Sequence, residues 1–205
     1  MISFKTVLLS TSVALALLAS STYAAGDAAA GKNKSASCAA CHGADGNSVN
    51  PVWPSIAGQH ESYIQNTLQS FKDGTRTDML MTAQANTLSD EGIADLAAYF
   101  ATQKAIKRTA DPALADIGER LYRGGNKESN LTACIGCHGP AGRGNAPASY
   151  PSLTGQHAAY TAKQLADYQS GARKSDGDTQ IMRNIAARLT QDEINALASY
   201  IQGLR

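Results

Sequence analysis

Beyond its first two dozen residues the chain has no apolar stretch approaching the roughly 20 residues needed to cross a bilayer. It has no run of lysine or arginine, no charged tail and no low-complexity segment, and 18 basic side chains stand against 17 acidic ones. That balance excludes the basic stripe of a nucleic-acid-binding protein. Period-two alternation is missing, which argues against β-sheet. Large apolar side chains are scarce: aromatic residues make up only 6% of 205, with three Phe and one Trp. A domain with so little to bury has a marginal core and usually needs a staple.

What is present begins with an export signal. Residues 1–24, "MISFKTVLLSTSVALALLASSTYA", carry Lys5, an apolar run from Val7 to Ala19, and Thr22 and Ala24 placed as in a small-residue cleavage site. The run is about 13 residues, too short for an anchor. Cleavage after Ala24 leaves 181 residues, and export makes disulfides possible. The four cysteines are an even number, but a disulfide framework leaves the histidines unexplained.

The second half repeats the first. "PSIAGQHESY" at 54–63 returns as "PSLTGQHAAY" at 151–160, a shift of 97, and "LSDEGIADLAAYF" at 88–100 returns as "LTQDEINALASYI" at 189–201, a shift of 101. Such spacing means two copies of one domain, here 25–104 and 113–205 joined by a polar linker at 105–112. Each copy reads as helices and irregular loops. Ile93, Leu96, Ala97 and Phe100 share a face of the last helix, as do Ile194, Leu197, Ala198 and Ile201. Ser89 and Thr190 sit as N-caps, Thr190 and Glu193 form a capping box, and the Leu88/Ile93 and Leu189/Ile194 pairs have hydrophobic-staple spacing. Asp111 and Pro112 open a helix carrying Leu114, Ile117, Leu121 and Tyr122 and ending at Gly124-Gly125. Middle helices are expected from about His60 to Asp73 and from about His157 to Ser170.

The repeat also carries "CAACHGADGN" at 38–47 and "CIGCHGPAGRGN" at 134–145. Cys-x-x-Cys-His is the attachment signature of c-type haem. Two sulfurs one helical turn apart bond the porphyrin vinyl groups, and the next residue turns its imidazole to the iron. Cys38, Cys41 and His42 thus hold one haem, and Cys134, Cys137 and His138 a second, supplying the missing core of each domain. A thioredoxin-like pair lacks its βαβ background, and a zinc site would need its ligands from one motif.

The sixth ligand of each iron comes from Met79, Met81, Met182, His60 or His157. Met81 and Met182 lie seven residues before Leu88 and Leu189, whereas Met79 aligns with Gln180, so Met81 and Met182 are chosen. They are expected in a loop before the last helix. Thioether ligation raises the reduction potential relative to a second histidine. His60 and His157 are read as polar helix-start residues near the surface. The carbonyls of Pro54 and Pro151, 12 and 13 residues past the motif histidines, are expected to accept from their Nδ1 protons.

With "CAACHGADGNS", "CIGCHGPAGRGN", "TGQHAAYTAKQL", "GDTQIMRNIAARL" and the terminal "ASYIQGLR", the sequence resembles the dihaem cytochrome c4 family of two fused class-I-type cytochrome c domains. The resemblance covers essentially the whole mature chain. It implies an all-α fold and a periplasmic electron carrier that is not an enzyme, a monomer soluble or loosely attached to the inner membrane. Such a carrier runs from a donor such as a cytochrome bc complex toward a haem–copper terminal oxidase, with His42, Met81, His138 and Met182 as iron ligands. The first domain departs from it, since "AAAGKNKSASC" is short and lacks an aromatic matching Tyr122, while Gly31 and Gly118 suit a close helix crossing. Alternatives are the dihaem electron-accepting subunit of a flavocytochrome sulfide dehydrogenase and a dihaem peroxidase. Charge divides unevenly: residues 25–104 hold eight acidic and five basic side chains, and residues 105–205 hold nine and twelve.

Overall fold

The computed structural model describes residues 26–204, so the export signal read at 1–24 lies outside the described residues. Five helices form the first half: α1 (Ala28–Lys34), α2 (Ala36–His42), α3 (Glu61–Asp73), α4 (Met79–Asn86) and α5 (Asp90–Thr102). Five more form the second: α6 (Pro112–Gly124), α7 (Ile135–His138), α8 (Ala158–Gln169), α9 (Ile181–Ala186) and α10 (Gln191–Gln202). Among the described residues β-pairing is limited to isolated bridges. Helix packing follows the repeat, with α1 and α3 on α5 and α6 and α8 on α10.

The caps sit where the side chains dictate. Ser89 accepts from Gly92 N at 3.0 Å. Thr190 and Glu193 close the capping box, and Asp111 caps α6 with Pro112 at its first position. The apolar face of α5 is buried at Ile93, Leu96, Ala97 and Phe100, and that of α10 at Ile194, Leu197, Ala198 and Ile201. Of the apolar residues on α6, Leu121 and Tyr122 are buried, while Ile117 remains 43% exposed.

Glycine sets the crossing of first and last helix in each half. A Cβ on Gly31 would lie 2.0 Å from the Asp95 carbonyl oxygen, and one on Gly118 would lie 2.3 Å from that of Ala196. Short α1 is held further by Asp95 of α5, which is almost fully buried. Its carboxylate accepts from the Asp27 amide at 2.8 Å and pairs with Lys34. The aromatic expected to be missing from this half is supplied from the other side of the crossing. Tyr99 donates its hydroxyl to Ala44 O at 3.1 Å, as Tyr122 donates to Gly139 O at 2.7 Å.

Two outcomes follow for stability. Gly118→Ala should cost about 1–3 kcal/mol, the usual range for overpacking, read as a lower guanidinium midpoint. Lys34 and the Asp27 amide hold the Asp95 carboxyl below its ordinary value. Its contribution is therefore complete above the ordinary carboxylate range and lost as pH falls through the lowered folded value. Asp95→Asn should weaken the protein at neutral pH and flatten the acid limb of a stability-against-pH curve.

Candidate haem sites

The two motifs stand on matching short helices. Cys38, Cys41 and His42 occupy α2, while Cys134 caps α7 and Cys137 and His138 end it. Gly43 at φ +80° and Gly139 at φ +76° stop the helices in conformations other residues rarely adopt. The chain then folds back on itself, with Ile56 N bonded to Gly46 O and Leu153 N to Gly142 O, both at 2.7 Å. This return brings Pro54 O to 2.8 Å from His42 Nδ1 and Pro151 O to 3.0 Å from His138 Nδ1, as expected.

A carbonyl only accepts, so each imidazole carries its proton on Nδ1 and keeps the Nε2 lone pair free. Burial pushes both imidazole pKa values down, and the carbonyl bonds oppose this only in part. Both rings are therefore neutral donors of a lone pair near pH 7. Burial also pushes the Cys134 thiol up to about 11 and raises that of Cys38. Reactive thiolates require the opposite shift. Among the described residues no group of three or more His, Cys, Asp and Glu gathers as a metal cage.

Both motifs open onto a cavity of about 750 Å³. All four cysteines, His42, His138, Met81 and Met182 line it, together with apolar walls that include Leu96 and Phe100 in one half and Leu197 and Ile201 in the other. The methionines stand on short helices, α4 and α9, rather than in the expected loop. Asp78 builds the first by accepting from Leu80 N at 3.1 Å and Met81 N at 3.0 Å. Met79 is 87% exposed and is not among the lining residues.

The donor set fits haem c: two thiols, one imidazole lone pair and one thioether per half, around a space that apolar side chains leave unfilled. The charges fit as well. Arg76 and Arg173 are buried beside the cavity, yet both bond only neutral groups. Arg76 donates to Tyr160 Oη and Gln164 Oε1 at 2.6 and 2.7 Å, and Arg173 to Tyr63 Oη and Gln164 Oε1 at 2.9 and 2.8 Å. The carboxylates lining the cavity are already engaged: Asp78 caps α4, Asp167 pairs with Lys163 and Asp176 with Arg183. Two buried cations without counter-charge are costly, and the carboxylates of two haems would supply it.

His60 and His157 precede α3 and α8 as expected and do not line the cavity, but His157 is buried rather than near the surface. His60 Nε2 lies 2.8 Å from Arg143 O, and His157 Nε2 lies 2.9 Å from Ser48 O, so each reaches the loop after the motif in the opposite half. His157 is buried beside Arg108 of the linker, whose guanidinium also holds Gly155 O, Ser48 O and Ser55 Oγ. The neighbouring glutamines do the same work. Gln59 bonds the backbone of Ser152 and Gln156 that of Ser55. Sequence reasoning missed this seam although its signal was the repeated Gly-Gln-His itself, with Arg76 and Arg173 repeating at the same shift of 97.

A family model described as "Cytochrome c" matches residues 28–104 and 115–205. The chain is 54% identical over 182 residues to "Cytochrome c4" of Pseudomonas aeruginosa, covering 89% of this chain and 90% of that protein. It is similar to the crystal structure of reduced recombinant cytochrome c4 from Pseudomonas stutzeri, with a TM-score of 0.86 and 52% identity over 88% of this chain and all of that one. At 36% identity it resembles "Thiosulfate dehydrogenase electron acceptor" of Thiomonas intermedia, covering 84% of this chain and 81% of that protein. The geometry predicts one attachment per motif. In whole-chain mass spectra, Cys134→Ala with Cys137→Ala should carry a single haem mass that survives acid–acetone extraction, against two in the unaltered protein.

Proposed function

Since the chain belongs to the dihaem cytochrome c4 family of electron-transfer cytochromes and carries two haems c, we propose that it works in the periplasm as a carrier. Its donor is a membrane complex such as a cytochrome bc complex, and its acceptor is a haem–copper terminal oxidase. The domains are 25–104 and 113–205 with a linker at 105–112. Cys38, Cys41, Cys134 and Cys137 would hold the two haems covalently, and His42 with Met81 and His138 with Met182 would ligate their irons. Bound there, each haem supplies the one-electron couple of its iron.

The protein's own residues set that couple. Pro54 O and Pro151 O fix the tautomer and ring orientation of the two histidines. Soft thioethers at Met81 and Met182 favour the reduced state. The apolar walls exclude water, which keeps the cost of adding charge high and reorganisation small. A histidine and a methionine ligating each iron would leave it no place for a substrate, which suits a carrier rather than an enzyme.

The observation carrying this reading is the pairing, in each half, of a neutral buried imidazole with a methionine lining the same cavity. Met81→Ala and Met182→Ala should each remove about half of the weak near-infrared-edge band of methionine–iron ligation, while Met79→Ala leaves it whole. The same samples, mixed with the isolated oxidase, should show electron delivery slowed by the first two substitutions and unchanged by the third. The similarity to a thiosulfate dehydrogenase electron acceptor favours a second reading, that the donor is a sulfur-oxidising enzyme. Faster reduction by such an enzyme than by the bc complex would decide for it.

A further inference from the structure

The peptide that holds each motif histidine is gripped from the other half. Pro54 C=O and Ser55 N–H belong to one planar peptide unit. Its oxygen lies 2.8 Å from His42 Nδ1, and its N–H donates to Gln156 Oε1 at 3.0 Å. The second half repeats the arrangement: Pro151 O lies 3.0 Å from His138 Nδ1, and Ser152 N donates to Gln59 Oε1 at 2.9 Å. Each glutamine also donates its Nε2–H to the carbonyl of the same serine, Gln156 to Ser55 at 2.9 Å and Gln59 to Ser152 at 2.8 Å. The amide is thereby locked in one orientation, with its oxygen on the serine N–H. Ser55 and Gln59 are buried.

We propose that Gln156 tunes the iron held by His42, and Gln59 the iron held by His138, each through one peptide unit and across the domain seam. The physics is polarisation along a hydrogen-bonded chain. A carbonyl accepts more strongly when the N–H of the same peptide is itself donating. A stronger acceptor on Nδ1–H makes the imidazole a more basic ligand, and a more basic ligand favours ferric iron. Gln59 and Gln156 are thus positioning residues acting through another group. Their arrangement is reciprocal, so each half contributes to the potential of its neighbour. The inference rests on His42 and His138 being the iron ligands.

The test uses the full-length protein with both haems, titrated by spectroelectrochemistry. The two waves are assigned by which one Met81→His or Met182→His displaces. Gln156→Met should raise the potential of the haem in the first half and leave the second in place, and Gln59→Met should do the reverse. The Nδ1 proton resonance of His42 should move in Gln156→Met and that of His138 in Gln59→Met. Ser62→Ala removes a seam bond outside the relay, Ser62 Oγ to Ala146 O at 2.9 Å, and should shift neither wave. The small-angle scattering radius reports whether the halves stay docked. Should they separate, Gln156→Glu and Gln59→Glu, which keep an acceptor on the serine N–H, replace the methionine variants and should lower the potential of the opposite haem more than that of their own.

A shift confined to the haem of the mutated half, equal shifts at both haems with the halves docked, or no shift at all would overturn the relay. Failure of the ligand reading is distinguishable. In that case the methionine–iron band and the Nδ1 resonances shifted by iron are missing from the unaltered protein as well.

Discussion

The close crossing of first and last helix, made possible by one glycine in each half, is the constraint from which the remaining structure follows. With no Cβ at Gly31 or Gly118, the backbone of α1 lies against α5 and that of α6 against α10. The last helix is then fixed with its apolar face turned inward. The chain leaving the first helix delivers the Cys-x-x-Cys-His turn to the rim of that face. Neither half owns enough large side chains to fill the space so enclosed. In each half Leu96 and Phe100, or Leu197 and Ile201, border the cavity and also belong to the buried core. Hydrophobic stabilisation scales with the apolar area removed from water. A haem packed on those walls is therefore part of the fold as much as part of the function.

A second constraint is polar. Opposite the helix crossings the halves meet through side chains that grip backbone, Gln59 on Ser152 and Gln156 on Ser55, with His60, His157 and Arg108 beside them. A buried hydrogen bond adds only about 0.5–1.5 kcal/mol net, but losing one partner costs about 1–3 kcal/mol. A seam made this way tolerates little slippage. It holds the two Cys-x-x-Cys-His motifs in one fixed relation, which helix packing confined to each half does not do.

Much of this was legible in the sequence, and the limits have physical reasons. Helix ends were readable because caps are local: Ser89, Thr190, Asp111 and Pro112 act within a few residues of themselves. The motif cysteines and histidines were readable because covalent attachment fixes their spacing. Pro54 and Pro151 were reachable as acceptors because the two copies set them at nearly equal distances from the histidines. Ile117 stays exposed unforeseen because helical periodicity shows which residues share a face, not how much of that face is covered; α6 buries Leu121 and Tyr122. The seam was hidden for another reason. A polar residue repeated in two domains looks alike whether it faces water or the other copy. Only topology shows that the Gly-Gln-His turns face one another.

Where the copies agree and where they differ follows from the same geometry. Near the pseudo-twofold axis of the seam the same residue recurs at matching places, because each such position meets the partner of its own counterpart. Gln59 and Gln156, His60 and His157, Tyr63 and Tyr160, and Arg76 and Arg173 all obey this. Surfaces away from the seam carry no such requirement, and there the copies part. Met79 is 87% exposed in the first half, where the second has Gln180 at the corresponding place. Residues 25–104 hold eight acidic against five basic side chains, and residues 105–205 hold nine against twelve. Opposite charge on the two ends turns a nearly neutral molecule into a dipole, which orients it in a partner's field within the screening distance of about 8 Å at physiological salt. Symmetry inside fixes the two haem-binding motifs in one frame, and asymmetry outside gives that frame two ends of opposite charge.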